Sequence, residues 1–220
     1  LATVLSGLGQ GIFGVDFNLY VLSMGIQTDT LGRILSAGPF AQAVAAIPLG
    51  FLGEMVGYKS LFVTIYLIAG LSQLVQAATP SVGLISTAAF FGGLALAGDF
   101  VVRLPFLAAN ATKARRTRVF SMSSLLSVIS FSAGSLLAGY MPDLLHGLSP
   151  HLTTRYRYTL FLAGALILAA AVPALMIAPC PRRKGKRISL HPYLGGIDRF
   201  TVQLATVELF GLGLLLQRNW

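Results

Sequence analysis

Long apolar runs dominate the chain, separated by short polar interruptions. They cover residues 1–22, 31–52, 60–78, 82–109, 119–141 and 158–178. A helix needs about 20 mostly apolar residues to cross a bilayer core, so each run suffices for one span. A further run over 201–216 predicts the start of a seventh and is followed by Gln217, Arg218, Asn219 and Trp220. The breaks carry ordinary turn chemistry: Gln27 to Thr30 after the first run, Thr79, Pro80 and Ser81 after the third, and Pro142, Asp143, Gly147, Ser149 and Pro150 after the fifth. Pro179, Pro181, Gly185, Pro192, Gly195 and Gly196 punctuate a basic stretch after the sixth. The pattern predicts an all-α, polytopic transmembrane bundle. Residues 1–178 form its six spans, 179–200 a cytoplasmic linker, and 201–220 the beginning of a second bundle.

Composition agrees. Hydrophobic residues make up 55% of the chain and charged residues 10%, against about 25% charged in soluble domains, and the mean hydropathy is +0.77. So few charges cannot cover a surface that faces water, and lipid is the expected surrounding. The net charge of +9 invites a nucleic-acid reading, which the placement of the charges opposes. Lys113, Arg115, Arg116 and Arg118 form one cluster and Arg182, Arg183, Lys184, Lys186 and Arg187 another. Both lie between apolar runs, without interleaved aromatic residues to stack bases.

These clusters orient the chain instead. The connections after the second, fourth and sixth runs hold Lys59, both clusters and Arg199, whereas those after the first, third and fifth hold little beyond Arg33, Arg155 and Arg157, beside Asp29 and Asp143. The even-numbered connections and the N-terminus are therefore expected in the cytoplasm, with the protein in the plasma membrane. A seven-helix receptor has the opposite bias, and no lysine for a retinal lies within 201–216. The chain opens at Leu1, already inside an apolar run without a basic leader or cleavage site, so the natural N-terminus is expected upstream.

Sites of enzymatic or metal chemistry are not predicted. Cys180 is the single cysteine, which rules out an intrachain disulfide or a multi-cysteine metal site. His146, His151 and His191 fall in loops without paired-ligand spacing. Nucleophile-elbow, phosphate-loop and dinucleotide-binding motifs are missing from the sequence, so neither an enzyme nor an ATP-driven pump is expected, and no cofactor.

The connection after the second run reads Gly50-Phe51-Leu52-Gly53-Glu54-Met55-Val56-Gly57-Tyr58-Lys59-Ser60-Leu61. It resembles the G-x-L-A-D-R-x-G-R-K-x-x-L signature of the major facilitator superfamily. Gly50, Leu52, Gly57, Lys59 and Leu61 match and Glu54 supplies the acid, while Met55 and Tyr58 replace two arginines and remove part of the charge network. A second stretch, 105–121, is similar to the family's P-F-x-x-E-N-S…E-R-x-x-x-F-S pattern through Pro105, Phe106, Asn110, Arg116, Phe120 and Ser121, with Ala109 and Ala114 in place of acids. Gly134 to Gly139 resembles the G-S-L-L-G-G end of the family's fifth helix. The resemblance implies two six-helix bundles, each of inverted three-helix repeats, with solute bound near the midplane. It makes Gly50, Glu54, Gly57 and Lys59 a gating loop. The antiporter signature of drug exporters is missing, because Gly134 is followed by Ser135.

Buried charge is costly in a spanning helix and is a functional hypothesis by default. Asp99 and Arg103 in the fourth run are four apart and therefore share a face. One reading has Arg103 attract an anionic or polar solute while Asp99 holds it or exchanges a proton; the other is an internally neutralised pair that fixes packing or serves as a gate. Asp16 and Asn18 in the first run are further cavity candidates, two apart and so on different faces. An acid in this helix carries protons in some members of the family. Gln10, Gln42, Gln73 and Gln76 offer neutral hydrogen bonds, to a ligand or between helices. Gly7, Gly11 and Gly14, like Ser124, Ser127, Phe131, Gly134 and Ala138, read as close-packing faces. Glu208 in the seventh run is a further candidate for the cavity.

The expectation is a secondary transporter or uniporter that moves a small solute by alternating access, in contact with lipid and with proton or sodium as the candidate coupling ion. A drug or metabolite exporter of the same fold is the nearest alternative, and a membrane scaffold, sensor or enzyme the more distant one.

Overall fold

The computed structural model describes residues 1–147 and 149–176, apart from the side chains at 46, 47, 50–56 and 113. The expected linker and seventh span, with Cys180 and Glu208, lie outside the described residues. Among the described residues seven α-helices follow one another: α1 Ala2–Ser23, α2 Thr28–Val56, α3 Tyr58–Ala78, α4 Val82–Asn110, α5 Arg116–Leu144, α6 Leu152–Ala169 and α7 Ala171–Leu175. Single 3₁₀ turns at Lys113–Arg115 and Leu145–Gly147 flank α5. Among the described residues there is no strand.

Each of the first six apolar runs has become a helix over its described residues, and the sixth is broken near its end. Pro173 lacks the N–H that would bond to the carbonyl one turn earlier, and the helix yields at Ala170 before resuming as α7. Pro39 and Pro48 in α2, Pro105 in α4 and Pro142 in α5 are accommodated without a break. Gly57 turns the chain from α2 into α3 with φ +93° and ψ 140°, a conformation that side chains disfavour.

Four stretches among the described residues are long and apolar enough to cross a membrane: α3, α4, Arg116–Gly147 and Leu152–Leu175. Helix α1, of 22 residues, has the length but not the hydropathy. Gln10, Asp16 and Asn18 dilute α1. For α1 the packing accounts for this, because its sides are taken up by protein rather than lipid.

Helix α1 packs on α5 and α6, α4 packs on α2 and α3, and α3 packs on α6. Exchanging α1, α2, α3 for α4, α5, α6 in order maps this set of contacts onto itself. The closest crossings obey the same exchange. Gly11 of α1 lies on the backbone of Gly134 in α5, and Gly93 of α4 lies on the backbone of Gly38 in α2. A Cβ at Gly11 would come within 2.8 Å of the Ser135 nitrogen, so only glycine permits this approach.

Hydrogen bonds tie one end of the bundle. Tyr20 at the end of α1 donates to the Ala77 carbonyl at the end of α3 (2.9 Å), and Arg157 near the start of α6 donates to that carbonyl as well (3.1 Å). Thr153 donates to the Ser23 carbonyl (3.0 Å). The ends of α1 and α3 and the start of α6 therefore share one side, as alternating spans require. On the outside, α5 exposes Leu125, Ile129, Leu136 and Tyr140, an apolar surface suited to hydrocarbon rather than water.

Candidate transport cavity

Among the described residues two cavities lie between the helices, and a third, of about 330 Å³, lies beside Met24, Ile26, Pro80 and Arg157. The larger, of about 380 Å³, is lined from α1 by Thr3, Ser6, Gly7 and Gln10, from α3 by Tyr66, from α4 by Asp99 and Arg103, and from α5 by Ser127, with apolar residues between them. The second, about 260 Å³, lies among α1, α2, α3 and α4 and includes Gln10, Gln42, Ser72, Gln73 and Gln76. Gln10, Ala69 and Leu96 line both.

Helical periodicity explains which side chains reach the cavities. Gly92, Leu96, Asp99 and Arg103 recur every three or four residues on α4, as do Tyr66, Ala69, Gln73 and Gln76 on α3. Thr3, Ser6, Gln10, Phe13 and Phe17 make the corresponding stripe on α1.

The charges predicted on α4 meet. The Arg103 guanidinium pairs with the Asp99 carboxylate one turn earlier and donates from its other terminal nitrogen to the Ser127 hydroxyl (2.8 Å). Tyr66 donates to the second carboxylate oxygen in a long contact of 3.5 Å. The pair thus links α3, α4 and α5 at the cavity wall. Side-chain exposures of 23% for Arg103 and 13% for Asp99 leave both within reach of a solute. Among the described residues this is the one salt bridge.

Asp16 is placed elsewhere. It is 1% exposed and lines neither cavity. It lies six positions after Gln10, which turns it about 120° around the helix, onto the face of Gly9 and Ile12 that packs against α6. Thr159 of α6 lies beside it, but that hydroxyl donates to the Tyr156 carbonyl (2.8 Å). Neither carboxylate oxygen of Asp16 has a hydrogen-bond partner. Asn18 is half-buried and also outside both linings. In the expected gating loop, residues 50–56 are helical, but the surroundings of Gly50 and the Glu54 side chain lie outside the described set; Gly57 makes the turn and Lys59 is half-buried.

Among the described residues no cluster of His, Cys, Asp or Glu has the makings of a metal site. The arrangement is instead a polar cavity wall in an apolar helical bundle. The family model of the major facilitator superfamily matches residues 1–217. The chain belongs to the major facilitator superfamily. An uncharacterized MFS-type transporter of Bacillus subtilis (strain 168), YfkF, is 27% identical over 122 residues; the match covers 56% of this chain and 30% of that relative. Membership makes this a multi-pass membrane protein of a transporter family, in agreement with its apolar helices. Tyr66 and Ser6 had no counterpart among the sequence candidates. The signal for Tyr66 was its spacing, two helical turns before Gln73.

Proposed function

We propose that this major facilitator protein is a secondary transporter that moves a small polar or anionic solute by alternating access, with the solute held at the Asp99–Arg103 wall of the larger cavity. The observation that carries the reading is the half-buried ion pair on α4 facing a cavity of about 380 Å³. A charge pair in a spanning helix needs a reason to be there, and a pair open on one side can exchange an internal partner for a solute. An anionic group competes with Asp99 for Arg103; protonation of Asp99 would release Arg103 to receive it.

In this reading α1 to α6 are the six spans of an N-terminal bundle built from two inverted three-helix repeats, a reading supported by the exchange of contacts and glycine crossings. Residues 179–200 are the cytoplasmic linker and 201–220 begin the second bundle. The N-terminal end and the basic clusters face the cytoplasm of a plasma-membrane protein. Gly50 to Lys59 act as the gating loop. Asp16 and Asn18 serve the coupling ion, a proton or sodium, rather than the solute directly; the unpartnered carboxylate of Asp16 motivates that assignment.

Counterflow into proteoliposomes by the full-length carrier tests the proposal. Saturable exchange of a solute, lost in both Arg103→Gln and Asp99→Asn, is the expected result. Exchange that persists unchanged in both variants would remove the site assignment, and no exchange across a broad panel of small solutes would remove transport.

A further inference from the structure

The second cavity differs chemically from the first. Its walls carry four glutamine amides and one serine hydroxyl among aromatic and aliphatic residues, and among the described residues no ionisable side chain lines it. Part of this polarity is consumed by the fold. Ser72 donates to the Ala88 carbonyl across to α4 (2.6 Å), and Gln76 donates back to the Ser72 carbonyl and hydroxyl at 3.3 and 3.2 Å. The remainder is not. Gln73, 5% exposed, has a carbonyl oxygen with no hydrogen-bond partner, and its nitrogen makes only a long contact of 3.5 Å to Gln10. Gln42, half-buried on α2, makes no hydrogen bond among the described residues.

A buried acceptor without a partner is costly to the protein, and a ligand that brings a donor removes that cost on binding. A charged group would enter without a counter-charge and forfeit its hydration, so this cavity selects an uncharged group. Gln10 stands at the junction, because it lines both cavities.

We infer that the glutamine-lined cavity is a subsite for the uncharged, hydroxyl-bearing part of the solute, whose other end occupies the Asp99–Arg103 wall. The inference rests on the transport reading above and names a substrate class: a small solute, polar at both ends, with an ionic head and a polyhydroxylated tail. Gln73 accepts from a hydroxyl of the tail, Gln42 both donates and accepts, and Gln10 spans head and tail.

Three matched six-carbon probes separate the two ends. Gluconate has an acidic head and a hydroxylated tail, hexanoate the head alone, and sorbitol the hydroxyls alone. Isothermal titration of the purified full-length carrier in detergent is expected to show gluconate binding at least about tenfold more tightly than hexanoate. Gln73→Leu and, separately, Gln42→Leu should erase that preference while leaving hexanoate affinity intact, which also shows that the variants are folded. Arg103→Gln should weaken gluconate and leave sorbitol unchanged. Equal affinity for gluconate and hexanoate overturns the hydroxyl subsite and leaves the charged site standing. Sorbitol binding without either carboxylate keeps the subsite but overturns the anion-binding reading of Arg103. If none of the three binds, both fall.

Discussion

The ion pair at the cavity wall predicts a non-additive pattern of stabilities. Arg103→Met leaves Asp99, a residue 9% exposed, with only the long contact from Tyr66. Removing one partner of a buried pair costs about 3–5 kcal/mol. Because both side chains keep partial access to the cavity, the lower end of that range applies, about 3 kcal/mol. Asp99→Leu leaves Arg103 with Ser127 as an acceptor and greater exposure, so its loss should be smaller, about 2 kcal/mol. Replacing both removes the stranded charge, and apolar replacements of a buried pair are often neutral. The double variant should therefore lose about 1 kcal/mol, which gives a coupling of about 4 kcal/mol. Thermal unfolding of the full-length carrier in detergent, followed by tryptophan fluorescence, reads this as a drop of several degrees in each single variant and recovery in the double. Counterflow should stay lost in the double variant, because a solute site is not restored by repacking. Drops that add to within about 0.5 kcal/mol would refute the coupling, and recovered counterflow would refute the solute role.

Other outcomes follow from particular residues. Gly134→Ala places a methyl group against the Leu8 backbone, which has no side chain to move aside, and should cost about 1–3 kcal/mol in the same unfolding assay. Gly139→Ala has open space and should be silent. Gly57→Ala meets no neighbour but must adopt φ +93°, so a loss of about 1–3 kcal/mol is expected with no change in solute affinity. In a Cys180→Ser background, a cysteine at exposed Thr117 should react with an impermeant maleimide only from the cytoplasmic side, and one at exposed Ser81 only from outside; the reverse result would invert the proposed orientation.

What could be read from the residues followed the range of the interactions involved. The Asp99–Arg103 pair needed only the geometry of one helix, since side chains four apart are neighbours wherever that helix packs. The apolar runs located the six long helices for a similar reason. Gly7, Gly11 and Gly134 were recognisable as close-packing positions, though not as partners across the α1–α5 crossing. Ser127 was grouped with that packing face, where its backbone does lie against Gly7, and its hydroxyl serves Arg103 as well. Asp16 required knowing which face of α1 meets α6, which depends on the arrangement of all the neighbouring helices. Tyr66 escaped because a tyrosine within an apolar run looks like ordinary core, and only its register with Gln73 distinguishes it. The break at Ala170 was written in Pro173, yet four other prolines lie within helices that continue.

The two glycine crossings have a kinetic consequence. Where backbone lies on backbone, there are no interlocked side chains whose rotamers must exchange before the crossing angle can change. Tilting α1 against α5, or α2 against α4, meets a smooth contact rather than a toothed one, and the barrier to such tilting lies in the flanking side chains. In the proposed transport cycle these crossings would serve as hinges. A methyl group added at Gly11 or Gly93 should therefore steepen the temperature dependence of turnover more than it weakens solute affinity.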